Sequence, residues 1–300
     1  MTIDNTTEIG WELYRSFLGV LDAGSLSGAA RAMGIAQPTV GRHVVSLEKA
    51  LGVTLFTRSQ TGLLPTEAAL ALQPLAQAMQ RAAAALQRAA KSQSSGIQGT
   101  VRVTASEVIG QEVLPPLLAQ LQDTYPDLTV ELVLTSRVQD LLQREADIAV
   151  RMTQPRQEQL IARRVGVIPL GLHAHKRYLE KHGTPASLAE LTQHALIGFD
   201  EETPFVRAAR KAFPIWSREN FALRTDNDMA QMALIRAGYG IGVCQVNLAA
   251  RDSNLVNILP GSIPLSLETW ITMHEDLRNN PSCKVTFDAL LTGLKSYIAS

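Results

Sequence analysis

The stretch from Ser25 to Gly52, SLSGAARAMGIAQPTVGRHVVSLEKALG, constrains this chain most, because it reads as two short helices joined by a tight turn. In its second half Val40, Val44, Leu47 and Leu51 fall four, three and four residues apart, so they form one stripe that must face a core. The opposite face is then cationic and built from small residues. Measured from Val40, Pro38 and Arg42 lie about 160° and 200° round the helix and Lys49 about 180°, flanked by Thr39 and Gly41. Such a surface can enter a DNA major groove, and Gln37, Pro38, Thr39, Arg42 and Lys49 are its candidate contacts. His43, about 300° round the same wheel, falls beside the core stripe, where it either packs or reaches a phosphate. The preceding helix is expected over roughly Ser27 to Met33, with Ala29, Ala30 and Met33 buried, Ser27 as N-cap and Gly34 as the left-handed residue after its end.

The flanks extend the unit. From Trp11 the run WELYRSFLGVLDAG puts Leu13, Phe17, Val20 and Leu21 on one side and stops at Gly24, which gives a third helix; residues 1 to 9 are polar and expected to fray. After Gly52, LFTR and LLPT flank the polar turn SQTG, so a two-stranded wing follows, with Thr57 and Arg58 at its edge. Arg58 either reaches the minor groove and its phosphates or is a solvated surface arginine. The formal net charge of the whole chain is zero, yet from Gly28 to Thr66 Arg31, Arg42, Lys49 and Arg58 face the single acid Glu48. Phosphate attraction follows that local excess, not the total.

Thr66 is placed to cap the next helix, with Glu67 near the positive end of its dipole. The alanine-rich run EAALALQPLAQAMQRAAAALQRAAKS is strongly helical by propensity. Leu72, Leu75, Met79, Ala82, Leu86 and Ala89 repeat at three and four, a heptad seam that pairs with a second copy or packs on the chain's own N-terminal helices. Pro74 lacks the N–H that would bond Leu70 and is expected to bend the first turns, and KSQSSGIQG ends the helix as a polar hinge.

Beyond Gly99 strands alternate with helices: VRVTA, VELVL (130 to 134) and DIAVRM (147 to 152), with helices around Leu114 to Leu121 and Val138 to Arg144 between them. That alternation implies a largely parallel sheet with a ligand site at the carboxyl ends of its strands. IARRVG (161 to 166) reads as a strand crossing to a second lobe that holds PLGLHAH, HALIGF, FALRT, a helix Asp228 to Ala237 and GIGVCQ; LSLETWITMH then returns, and a helix near Lys284 to Tyr297 closes the chain. Ser106, Glu107, Ser136, Arg137, Gly198, Phe199, Asn227 and Asp228 stand at strand ends or helix starts and are the candidate ligand contacts, each equally readable as a cap or loop residue. Free N–H groups at helix starts suit a small anion. Glu107 works against that, repelling an anion and favouring an amine-bearing or polyhydroxy ligand, while Arg137 can instead pair with Asp140.

Three hundred residues, 46% hydrophobic and 19% charged, suit a soluble globular chain of two or three units. Cys244 and Cys283 lack any C-x-x-C spacing and read as buried free thiols in a reducing cytoplasm, the alternative being a redox-sensing pair for which the sequence offers no support. There is no signal-peptide pattern and no apolar run long enough for a membrane span, so neither export nor insertion is expected. His173, His175, His182, His194 and His274 show no H-E-x-x-H spacing, and neither a nucleophile elbow nor a P-loop occurs. GYGIG near Gly238 lacks a preceding strand and reads as a tight turn. No catalytic set, metal site or cofactor is therefore read.

The order of a helix ending MG, the turn IAQPTV, GRHVVSLEKALG and then VTLFTRSQTGLLPTEA resembles LysR-type transcriptional regulators, and ASEVIGQEVLPPLLAQLQDTYPDL with READIAVRM carries the likeness into the second half. Ala36 stands where that family often has a capping Ser or Thr, and Gly41 where it often has Ser. The resemblance implies a winged helix-turn-helix domain over residues 1–66, which is all-α apart from its wing, and a dimerisation helix over 67–95. It further implies a two-lobed α/β effector domain over 96–300, similar to type 2 periplasmic binding proteins. The lobes would be about 96–165 with 270–300, and about 166–269. It also implies a wing arginine on DNA, linker helices paired through Leu72, Leu75, Met79, Ala82 and Leu86, a homodimer or tetramer, contact with RNA polymerase, and effectors among small organic acids or aromatic metabolites. The resulting expectation is a cytoplasmic, non-enzymatic transcription factor on double-stranded promoter DNA. The rivals are a solute-binding protein with an incidental helical head and a DNA-binding protein whose cleft stays empty.

Overall fold

A computed structural model describes residues 9–59, 62–91, 96–135, 146–155 and 160–300. The chain forms two compact units, one reaching to Gln87 and the other running from Arg88 onward.

The first unit packs α1 (Trp11–Ala23), α2 (Leu26–Met33) and α3 (Gln37–Leu51) round Phe17, Val20, Ala29, Val40, Val44 and Leu47. α1 stops where Gly24 turns to φ 62° and its N–H bonds Val20 O. The cap of α2 is Ser25, not Ser27: its extended backbone lets Oγ accept from Gly28 N at 3.1 Å, which leaves Ser27 exposed inside the first turn. Gly34 ends α2 in the left-handed region, as expected, at φ 69°.

The wing strands β1 (Phe56–Ser59) and β2 (Gly62–Pro65) pair antiparallel with Arg58 opposite Leu63. Residues 60 and 61 of the SQTG turn lie outside the described residues. The wing docks on the end of α1, where Leu63 N donates to Gly24 O at 2.9 Å. Gly62 permits that approach, with φ 138° and a position at which a Cβ would sit 2.6 Å from the Gly24 carbonyl oxygen.

Thr66 caps α4 (Glu67–Lys91), accepting from Ala69 N at 3.2 Å while its hydroxyl donates to Thr54 O at 2.8 Å. The helix passes Pro74 unbroken. Its first turns bury Ala69 and Ala76 on the unit's own core with Leu72 packed beside them, so Leu72 does not belong to an open seam. The reason is periodicity: positions 69, 72 and 76 make a stripe of their own, offset from the one that carries Leu75 and Met79. Leu75, Met79 and Leu86 are exposed at 65%, 41% and 69%, and Ala82 is half-buried.

The second unit holds a 7-stranded sheet of β3 (Gly99–Ala105), β4 (Leu128–Leu134), β5 (Ile148–Arg151), β6 (Leu160–His175), β9 (Gly242–Gln245), β10 (Leu255–Ile258) and β11 (Ser266–His274). Their order is β10-β6-β11-β5-β3-β4, with β9 also on β6. Only β4, β3 and β5 run parallel; β11, β6, β9 and β10 pair antiparallel, which corrects the expectation of a largely parallel sheet. β6 carries the chain out to the second lobe and β11 brings it back, so the two lie side by side in opposite senses. IARRVG and PLGLHAH prove to be one 16-residue strand, β6, which runs through Pro169 at the point where β11 begins opposite it. A short parallel pair, β7 (Leu196–Gly198) with β8 (Phe221–Arg224), belongs to the second lobe.

The helices of this unit are α5 (Leu114–Thr124), α6 (Lys176–His182), α7 (Pro204–Ala212), α8 (Asp228–Arg236), α9 (Val246–Ala249) and α10 (Pro281–Ala299), and a π-helical turn, Ile109–Val113, precedes α5. The helix expected over Val138 to Arg144 lies outside the described residues. The first lobe centres on Val101, Val103, Val150, Ile271 and Leu290, the second on Leu172, Leu191, Trp216 and Ile241. None of the described helices is long and apolar enough to cross a membrane.

His173, 2% exposed on β6, has Nδ1 2.9 Å from Gly171 O, an atom that can only accept, so Nδ1 carries the proton. Cys244 Sγ lies 3.3 Å from the same nitrogen, and burial pushes that thiol's pKa up to about 12. Burial also holds the His173 pKa below the usual 6.5. The unfolded chain thus takes up a proton that the folded one refuses, and stability must fall as pH drops through 6.5. His173→Gln is expected to flatten the fall in unfolding free energy between about pH 7 and pH 5, measured by denaturant titration. Identical slopes for both proteins would contradict the assignment.

Candidate nucleic-acid interface and interlobe site

α3 carries the first site. Val40, Val44 and Leu47 are buried, whereas Gln37, Pro38, Arg42, Val45, Ser46 and Lys49 are exposed. Burying the apolar stripe therefore turns the cationic face outward. Thr39 is half-buried and lies 3.4 Å from Arg42 Nη2, a long contact that leaves the guanidinium exposed. Lys49 is in the last turn, where a cation also complements the helix dipole.

Two contacts fix the helix against its neighbours. His43 is half-buried with Nδ1 2.7 Å from Ser16 Oγ on α1, so it orients α3 and is not aimed outward. Glu48 Oε1 accepts from Leu55 N at 2.7 Å and from Phe56 N at 3.3 Å, tying α3 to the start of β1. The single acid among the cations of this stretch is thereby committed to the wing's backbone. Arg58 is exposed on β1.

In the second unit, Asn227 Oδ1 caps α8 by accepting from Ala230 N at 2.7 Å, and its Nδ2 donates to Glu107 Oε2 at 3.1 Å, a bond between the two lobes. Asp228 opens α8 beside it; burial, and then the Glu107 carboxylate, hold its pKa above the usual range. Helix-start N–H groups suit an anion, but here the Asn227 side-chain oxygen occupies the start of α8 and Glu107 and Asp228 gather carboxyl groups beside it. A second interlobe link joins Arg236 to both carboxylate oxygens of Glu112, at 2.5 and 3.0 Å, and the bond lowers the Glu112 pKa.

Ser106 is half-buried after β3, and Phe199 is half-buried after β7. Gly198 is buried under Phe221, where a Cβ would fall 2.2 Å from the ring, and its carbonyl accepts from Thr225 N at 2.9 Å. Its place is thus explained by packing. Ser136 and Arg137 lie outside the described residues. Sequence reasoning missed Arg151, 4% exposed at the end of β5, with Nη2 bonded to Thr104 Oγ1 at 2.8 Å. An arginine closing the apolar run Ile148, Ala149 and Val150 was the available signal. It also missed Arg236 and Glu112, which stand 124 positions apart.

Residues 11–70 match the family described as bacterial regulatory helix-turn-helix protein, lysR family, and residues 94–295 match the LysR substrate binding domain. The chain belongs to the LysR family. The regulator CrgA of Neisseria meningitidis serogroup C is 33% identical over 185 residues, covering 62% of each chain, less than two thirds of that relative's length. The transcriptional activator AaeR of Escherichia coli K12 is 27% identical over 229 residues, covering 75% of this chain and 74% of the other. Among solved structures, full-length CrgA superposes with a TM-score of 0.59 at 26% identity, covering 94% of this chain and 98% of that one. CbnR, a LysR family regulator, superposes with a TM-score of 0.68 at 20% identity, covering 96% and 99%.

For this LysR-family chain, the two positions where a hydroxyl was expected take plain backbone solutions. Ala36 caps α3 without any side-chain bond. At Gly41 a Cβ would meet only Leu26 Cδ1, at 3.6 Å, an ordinary contact, so packing does not demand glycine there. A glycine inside a helix costs about 0.5–1 kcal/mol relative to alanine. Gly41→Ala is therefore expected to stabilise the first unit by about that amount, read as a rise in its melting temperature; an unchanged or lower melting temperature would contradict this reading.

Proposed function

We propose that this LysR-family chain is a DNA-binding transcriptional regulator that acts as a homo-oligomer and responds to a small molecule held between the lobes of its second unit. The observation that carries the proposal is the outward face of α3, where exposed Gln37, Pro38, Arg42 and Lys49 are backed by a fully committed core stripe and accompanied by wing Arg58. α3 enters the major groove, its dipole and cations meet phosphates, and Arg58 reaches the minor groove or the backbone beside it. That a LysR family protein, CbnR, has been solved with its target DNA supports this use of the fold. Exposed Leu75, Met79 and Leu86 on α4 supply the surface on which a second copy pairs, so that two reading heads are held together.

The interlobe site is the proposed seat of the effector. Glu107 and Asp228 make that end of it acidic, and the ligand chemistry favoured there is an amine or a polyhydroxy compound. The ligand acts by binding one arrangement of the assembly more tightly than another, which shifts the DNA-bound geometry. No enzymatic step is assigned, and the relatives named above are regulators.

Binding of the full chain to duplex DNA, measured by fluorescence anisotropy across salt concentrations, tests the proposal. Affinity is expected to fall steeply with salt, since released counterions drive phosphate binding. Arg42→Ala should weaken specific binding by about tenfold or more, the order of one lost guanidinium contact, without altering the oligomer. Salt-insensitive binding, or an unchanged affinity for the variant, would overturn it.

A further inference from the structure

The exposed face of α3 is not uniformly polar. Val45 is 63% exposed, in the middle of the outward face, with Arg42 one turn before it and Lys49 one turn after. Pro38, Gly41 and Val45 stand three and four apart, which aligns them as a narrow apolar strip along one side of Arg42 and Lys49. Helix stability does not account for the valine, because a β-branched residue is a poorer helix former than the Lys, Gln or Arg that an exposed position accepts equally well. It has a different asset: in a helix one χ1 rotamer dominates, so its two methyl groups are held in place and lose little freedom on contact.

Gly41 adds an independent observation. Helical side chains lean toward the N-terminus, so Val45 overhangs the turn that contains residue 41. That residue has no side chain, and packing alone does not require its absence, since a Cβ there would touch only Leu26 at ordinary distance. The missing side chain leaves a notch beside Val45, to which Leu26 Cδ1 is the nearest atom. Of the groups that base edges present in the major groove, only the C5-methyl of thymine is apolar.

We infer that Val45 is a specificity-determining residue that reads one thymine methyl in each half-site, seating it in the notch above Gly41 while Arg42 engages the neighbouring base or phosphate. This inference rests on the DNA-binding reading and deepens it. It predicts sensitivity to a single methyl group, without any change in the number of phosphates contacted.

The test is to recover a preferred site from a random duplex pool with the full-length chain and then to replace each thymine singly by deoxyuridine, which removes only the methyl. At one thymine per half-site the wild-type protein is expected to lose about fourfold in affinity, the equivalent of one buried methyl group. Val45→Ala should bind the thymine and deoxyuridine sites equally, with the salt dependence and melting temperature of the wild type. If a site is recovered but no deoxyuridine position weakens wild-type binding, or if Val45→Ala keeps the discrimination, the inference fails alone. If no duplex is retained by the pool selection, the DNA-binding reading fails and takes the inference with it.

Discussion

Burial of Val40, Val44 and Leu47 against α1 and α2 is the constraint on which the rest depends. A helix cannot hide one face without presenting the other, and here the presented face carries Arg42, Lys49 and the apolar strip. Burial alone leaves rotation and tilt partly free. The bonds from Ser16 to His43, and from Leu55 and Phe56 to Glu48, remove that freedom by pinning α3 to the helix before it and the wing after it. Charge is arranged by the same contacts, since Glu48 is held on the wing's backbone amides and leaves the cations of the reading face unopposed along their own helix.

α4 divides its surface between a buried stripe and an exposed one. Ala69, Leu72 and Ala76 anchor its first turns to the reading unit, so the helix leaves that unit in a fixed direction. Leu75, Met79 and Leu86 remain in water. Three large side chains along one helix, exposed among the described residues, are the reason for proposing a second copy there. In the proposed dimer an anchored helix that also pairs would transmit the spacing of one reading head to the other, which a flexible tether cannot do.

Local chemistry was legible in the sequence wherever one residue decides an outcome. The glycines at 24, 34 and 52, the cap at Thr66, the wing and the core stripe of α3 all follow from residue type and period. Residue type alone points to Ser27 as a cap of α2, but Ser25 is chemically as able, and only the extended backbone at Ser25 decides for it. Leu72 fitted two overlapping stripes, and tertiary packing selected one. β6 was divided because Pro169 and its glycines punctuate the pattern, whereas the partner strands carry it through. The interlobe contacts of Glu107 with Asn227 and of Glu112 with Arg236 were beyond any local pattern, since each joins residues more than a hundred positions apart. An exposed valine such as Val45 carries no charge or period that marks it in the sequence as part of a DNA-facing surface.

The central claim is that α4 presents two copies of the α3 surface to DNA in fixed register. Hydroxyl-radical footprinting of the full-length chain on its selected site, beside a Leu75→Asp, Leu86→Asp variant, tests it most directly. The wild type should protect two patches whose centres are separated by one helical turn, about 34 Å, or a whole multiple of it, and the variant should protect only one. A single patch for the wild type, or two equally spaced patches for the variant, would contradict the account.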